Sequence, residues 1–413
     1  MTERATLVTG ISELVTNSIA AQGCAPSVDR TEARLGRILD AAVVVRTPVQ
    51  GPAEVVWTGT AASAPQADER VDLGGRCVVP AFVDAHTHLA FAGDRADEFT
   101  ARMAGRRYDG GGIARTVSAT RAAPDDLLRR LLTGRIEECR RQGTGVVEIK
   151  TGYSLDLAGE ARLARIAGEF TSHVTFLGAH VVPAEFASDR MAYLDLVTGP
   201  ILEEVCPTAG ERLVDAIDVF CEPNSPHAFT GEEARQVLTA GAARGLLLRV
   251  HANQLGPGPG VRLACELGAA DVDHCTFLDA ADIDALAGAA GTTVATLLPG
   301  VEFSTRAPYA DARRLLDAGA DVALATDCNP GTCYSSSMPW VIALAVRELG
   351  MTPAEALWCA TAGAARAVHC DAGRIERGGP ALLTVLDAPA YTHLAYRPGV
   401  PIARLLELDR PSR

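Results

Sequence analysis

The chain is predicted to be α/β: a (β/α)8 TIM barrel over residues 77–376, with a small β-sandwich domain built from both chain termini, 1–76 plus 377–413. Three observations carry this reading. The two ends hold short β-type pieces between Gly and Pro, whereas the middle alternates apolar β-type runs with amphipathic helices. The middle supplies eight such runs over about 300 residues, the number a barrel of this kind needs. Several of those runs end in side chains capable of chemistry, and a barrel opens all of its strand C-termini on one face.

At the amino end, Ala41–Val45 and Ala53–Trp57 are β-like and separated by turn residues; at the carboxyl end, Gly378-Gly379-Pro380 leads into Ala381–Leu386. The eight barrel strands are expected at Val78–Val83, Gly145–Lys150, Val174–Gly178, Ala216–Cys221, Leu246–His251, Ala270–His274, Thr293–Leu297 and Val322–Asp327. Helices fall between them. Thr230/Glu233 and Thr352/Glu355 have capping-box spacing, and Asp125–Arg141 carries Leu127, Leu128, Leu131, Leu132 and Ile136 on one helical face. An open doubly wound sheet fits less well. It would separate the first strand from the eighth, and no Gly-rich phosphate loop follows any strand.

The strand ends carry His86 and His88, Glu148 and Lys150, His180, Glu222, His251, His274 and Asp327. The first run, Val78-Val79-Pro80-Ala81-Phe82-Val83-Asp84-Ala85, delivers two histidines one residue apart. Side chains at i and i+2 of an extended segment point the same way, so His86 and His88 can reach one point. Leu247–Val250 delivers His251, and the apolar run Val322–Thr326 ends on Asp327. Three imidazole nitrogens and one carboxylate with room for water suit Zn2+ or Fe2+ in a catalytic rather than a structural site.

Composition narrows the partners. Among 413 residues, 38 are basic and 51 acidic, a formal charge of −13 that argues against nucleic acid or an anionic membrane. The first 20 residues hold charges and no secretory apolar core, and no charge-free run approaches the ~18 residues of a membrane span. The 11 cysteines are scattered and never in C-x-x-C spacing, which fits free thiols in a reducing cytoplasm.

From about Leu35 to Leu408 the chain resembles the imidazolonepropionase family of the amidohydrolase superfamily. The resemblance rests on Asp84-Ala85-His86-Thr87-His88-Leu89-Ala90-Phe91-Ala92-Gly93-Asp94-Arg95, Gly110-Gly111-Gly112-Ile113, Glu148–Tyr153, Thr175–His180, Asp218–Glu222 and Ala325–Thr332. The H-x-H pair marks the superfamily; Arg95, Gly152-Tyr153 and Asp327-Cys328-Asn329-Pro330-Gly331 point to this member. The family implies one divalent metal per chain, bound by His86, His88, His251 and Asp327. It also implies hydrolytic ring opening of 4-imidazolone-5-propanoate to N-formimino-L-glutamate in histidine catabolism, and a cytoplasmic homodimer. Two-metal relatives use a carboxylated lysine at the end of strand four, where this chain has Cys221-Glu222.

That resemblance assigns roles. Arg95 would clamp the propionate as a two-pronged fork. Tyr108, Tyr153 and His180 would add hydrogen bonds, though ordinary packing explains the tyrosines equally well. Asn329, Gly331 and Thr332 would meet the other end of the ligand. Asp327 would carry the proton from water to the leaving nitrogen, and His274 would polarise the carbonyl. Gln254 stands where many members have an acid; it can bond a ring nitrogen but cannot be a base. Val182-Pro183-Ala184 replaces a common Pro-Pro pair without evident consequence. A deaminase or another cyclic-amide hydrolase on the same barrel would share the metal site but lack a carboxylate clamp. A non-catalytic scaffold would have lost ligands that are intact here.

Overall fold

The computed structural model describes residues 3–18, 30–105 and 112–408. The chain forms two compact units. One comprises Met1–Asp84, Glu138–Val146 and Ser337–Arg413, the other Ala85–Glu137 and Val147–Ser336.

The first unit is organised by a six-stranded mixed sheet that both termini build. Its strands run in the order Ala403–Leu405, Leu383–Leu386, Glu69–Pro80, Arg4–Val15, Arg37–Thr47 and Glu54–Thr60. Arg4–Val15 is the centre, antiparallel to Arg37–Thr47 with Val8 opposite Val43, and parallel to Glu69–Pro80 with Leu14 opposite Val78. Alternating apolar residues put Val8, Ile11, Leu14, Ile38, Val43, Val45, Val78, Leu383 and Val385 in one core. Thr352 caps the helix Pro353–Trp358 with the expected reciprocal bonds to Glu355.

The second unit is the barrel. Seven parallel strands lie side by side: Ile149–Lys150, Val174–Ala179, Ala216–Cys221, Leu247–Ala252, Asp271–His274, Val294–Leu297 and Asp321–Leu324. Residues 86–88 join the two edges of this sheet. Lys150 N–H donates to Thr87 O at 3.0 Å, while Asp327 N–H donates to His86 O at 3.0 Å and His88 N–H to Cys328 O at 3.1 Å. The sheet therefore closes into the predicted barrel, with the H-x-H segment as its seam. Between strands, helices start on side-chain caps: Asp156 for Leu157–Gly168, the Thr230 capping box for Gly231–Ala242 and Asp279 for Ala280–Gly288.

Three strands differ from expectation by a break or by more than one residue at an end. Val78–Val83 is not one strand: Glu69–Pro80 belongs to the mixed sheet, and Phe82–Asp84 is separate. Pro80 has no N–H to continue a ladder, which accounts for the break. The second barrel strand is interrupted at Glu148, between Thr144–Val147 and Ile149–Lys150. The eighth ends at Leu324 rather than Asp327, since Asp327 has already turned into the left-handed region with φ 48°.

Candidate metal centre and substrate cavity

The barrel seam sets the site. His86 and His88 lie two residues apart in extended backbone, so both rings turn inward. His251 comes from the middle of the barrel sheet, and Asp327 is swung in by its left-handed backbone. Asp327 Oδ1 lies 3.5 Å from His86 Nε2 and 3.3 Å from His88 Nε2; His88 Nε2 lies 3.3 Å from His251 Nε2. With metal–ligand bonds of about 2.0–2.1 Å, the edges of a tetrahedron are about 3.3–3.4 Å, so these atoms are spaced as ligands of one ion. All four residues are buried, and His86 Nε2 has no hydrogen-bond partner. Burial holds the His86 and His88 imidazoles well below the usual histidine value, helped for His86 by Lys150 and for His88 by His180. Neutral rings with lone pairs aimed inward are what a metal requires. The residues fit a divalent cation.

Beneath the ligands lies a buried ionic layer; sequence reasoning pointed to its Glu148 and Lys150 but missed Asp218 and Asp273. Asp218 Oδ1 is hydrogen-bonded to His251 Nδ1 at 3.1 Å, and Asp273 Oδ1 lies 2.7 Å from His86 Nδ1. Lys150 Nζ sits 3.0 Å from Glu148 Oε1 and 2.8 Å from Asp218 Oδ2. Burial opposes charge on Lys150, but Asp218, Glu148 and Asp273 outweigh it and raise its value. Burial also pushes Asp273 well up, with Asp271 adding to it. Asp218, Asp273 and His251 approach one another closely enough to hold an ion, but the Lys150 ammonium already stands against Asp218. A signal was available: Asp218 inside the apolar strand Ala216–Cys221, and Asp271 and Asp273 in the strand Asp271–His274, all three buried.

Above the ligands is a small cavity, ≈ 50 Å³. Of the expected site residues, His88, Arg95, Tyr153, His180, His251, Gln254, His274, Asp327, Asn329 and Thr332 line it. Tyr108 lies outside the described residues. His180 stacks on His88 with centroids 5.3 Å apart, and its Nδ1 meets Gly152 O at 3.0 Å, which leaves Nε2 for the cavity. Burial, then His251, lowers His180 to about 4, so it is neutral near pH 7. His274 has φ 70° and is likewise held neutral, by burial first and His251 second.

Other side chains are engaged within the protein. Asn329 Nδ2 donates to Asp327 O at 2.7 Å and Thr332 Oγ1 at 2.8 Å, while its Oδ1 accepts the Gly331 and Thr332 N–H groups at 2.8 and 2.7 Å. The amide thus ties up the loop beyond Asp327, including the Gly331 N–H expected to face the ligand. Glu222 accepts from Asn224 Nδ2 at 2.7 Å and Leu255 N–H at 2.9 Å, and so joins two loops. Arg95 is buried and paired with Glu98.

Comparison with known proteins shows the family. The amidohydrolase family matches residues 77–405. An imidazolonepropionase of Salinispora tropica is 56% identical over 399 residues, spanning 96% of this chain and 96% of its own. One of Streptomyces coelicolor is 56% identical over 398 residues, again covering 96% of each. Among solved structures, a triazine hydrolase variant superposes with a TM-score of 0.71 at 16% identity, over 97% of this chain and 93% of that one, and shares the fold. No described helix is long and apolar enough to cross a membrane.

Proposed function

The chain belongs to the imidazolonepropionase family of amidohydrolases, and from that premise we propose that its barrel hydrolyses 4-imidazolone-5-propanoate to N-formimino-L-glutamate. The observation that carries the proposal is the convergence of His86, His88, His251 and Asp327 at 3.3–3.5 Å under a cavity walled by Arg95. These four groups would hold one divalent metal, zinc or iron, which would supply a Lewis acid that makes water a nucleophile near neutral pH.

The protein's own residues do the rest. Arg95 binds the propionate and sets the ring in the cavity, since a guanidinium matches a carboxylate in plane and charge. Neutral His274 donates one N–H to the ring carbonyl oxygen and stabilises the negative charge that develops there. Asp327 takes the proton of the attacking water and returns it to the ring nitrogen as the carbon–nitrogen bond breaks. Gln254 bonds a ring nitrogen and, being unable to ionise, leaves the proton transfer to Asp327. His180 and Tyr153 contact the substrate from the side of His88. Tyr108 is kept as a further donor. Asn329, Gly331 and Thr332 act by holding the loop that presents Asp327, with Thr332 also reaching the cavity. The active form is proposed as a cytoplasmic homodimer, which light scattering of the purified protein tests.

The decisive assay follows ring opening of 4-imidazolone-5-propanoate by ultraviolet absorbance, with and without a chelator. Activity that disappears with the metal and returns on its addition is the expected result. No turnover by the metal-loaded protein overturns the reading.

A further inference from the structure

Lys150 is fully buried and does not line the cavity. Its ammonium touches Glu148 Oε1 at 3.0 Å and Asp218 Oδ2 at 2.8 Å, and stands 3.9 Å from Asp273 Oδ2. Each of these aspartates reaches Nδ1 of a different histidine: Asp218 that of His251 at 3.1 Å, Asp273 that of His86 at 2.7 Å. A neutral imidazole has one N–H and one lone pair, and a carboxylate at Nδ1 draws the hydrogen to that atom. Nε2 then presents its lone pair. Lys150 Nζ stands within 4 Å of both aspartates on the side away from the ligand point, hydrogen-bonded to Asp218 and in longer ionic contact with Asp273.

We propose that Lys150 is a positioning residue for the metal: one buried cation pins Asp218 by a hydrogen bond and faces Asp273 at 3.9 Å, and these two aspartates stand behind His251 and His86 with Nε2 turned to the common ligand point. Without the ammonium, Asp218 and Glu148 lose their shared buried partner and with it their fixed orientation. The imidazoles then sample the wrong tautomer and rotate. Glu148 ties this layer to the barrel seam, since its Oε2 accepts the Thr87 N–H at 3.1 Å, between the two ligands of the first strand. The inference rests on the metal reading above, and the native protein's metal content tests that reading separately.

The experiment measures metal affinity by competition with a chelator, using zinc as the probe. K150M alone leaves the buried Glu148 and Asp218 carboxylates without their cation, so the main variant is E148Q/K150M, which removes one charge of each sign and keeps the volume. Folding is checked by circular dichroism of the metal-free protein. E148Q/K150M is expected to bind zinc about 10- to 100-fold more weakly than the native chain, the usual loss when the partners behind metal ligands are removed. D218N is expected to cost a similar factor alone but little more when added to E148Q/K150M, because Asp218 has then already lost its anchor. Affinity within twofold of native in E148Q/K150M, or a D218N cost that is the same in both backgrounds, overturns the proposal. A second measurement needs no variant to fold: nitrogen-15 signals of the native metal-free protein at pH 8 should show Nδ1–H tautomers for His86 and His251. Nε2–H tautomers at these two positions overturn it equally. Native protein that binds no zinc removes the metal reading instead.

Discussion

Arg95 meets Glu98 along a whole edge of its guanidinium, Nε donating to Oε2 at 2.8 Å and Nη2 to Oε1 at 2.7 Å. The fork is therefore oriented before any ligand arrives, and the entropy of ordering it is not charged to binding. Its other end packs against Gly331, where an added Cβ would lie 2.4 Å from Arg95 Nη1. A glycine is needed there because the backbone must come that close to the guanidinium.

The first prediction tests this fork. R95M keeps much of the side chain's bulk and removes the charge. A desolvated charge-assisted pair is worth roughly 2–5 kcal/mol, so kcat/KM on 4-imidazolone-5-propanoate should fall by about 30- to 5,000-fold. R95K should recover only part of this, and G331A should impair kcat/KM in the same direction by displacing the fork. Metal content should be native in all three. Unchanged kinetics for R95M would make Arg95 a bystander and favour a deaminase or another cyclic-amide hydrolase.

The second concerns the ligands. H251A should lose bound metal and nearly all activity while the barrel keeps its circular dichroism spectrum, because His251 supplies one of the converging nitrogens. Full metal occupancy in this variant would remove His251 from the ligand set.

Metal count is the third. Elemental analysis of the saturated protein should find close to one ion per chain. The place where a second cation could meet Asp218 and Asp273 is held by the Lys150 ammonium, 2.8 Å from Asp218. Two ions per chain would contradict this.

The fourth is a pH effect away from the metal. Glu302 accepts a hydrogen bond from Thr276 Oγ1 at 2.6 Å, and burial pushes its carboxyl up to about 7. The folded state therefore holds this proton more tightly than the unfolded chain, whose carboxyl titrates near 4.5. That contribution to stability is complete below about pH 4.5 and is lost as pH rises to 7. E302Q removes the cost of charging a buried carboxyl. It should gain stability relative to the native chain by up to about 3 kcal/mol at pH 8 and close to nothing at pH 4.5. Denaturant unfolding of metal-free protein at the two pH values measures it; an equal effect at both would exclude titration of Glu302.

Much of the fold was legible because its signals are local. Alternating apolar runs, capping pairs such as Thr230 with Glu233 and Thr352 with Glu355, and the helix Asp125–Arg141 are patterns a few residues long, and each is present where it was expected. The strand ends that carry His86, His88, His251, His274 and Asp327 follow from the same patterns, once a barrel gathers them on one face. Boundaries were less legible where one residue overrides a pattern: Pro80 splits an apolar run that reads as continuous, and the left-handed turn at Asp327 cuts the eighth strand short.

The barrel, the small terminal sheet and the side chains at the strand ends are thus readable along the chain, since each depends on periodicity. What those side chains meet depends on the folded structure. Asp218 and His251 are 33 residues apart, and Arg249 lies 164 residues from the Ala85 carbonyl that it approaches. Closure of the sheet brings such groups together, and no local pattern encodes the distance. The structure likewise showed that Asn329 is occupied by its own loop and that Arg95 is held by Glu98. A buried polar group must find a partner wherever the fold offers one, and that choice is made by packing through space, not by position in the chain.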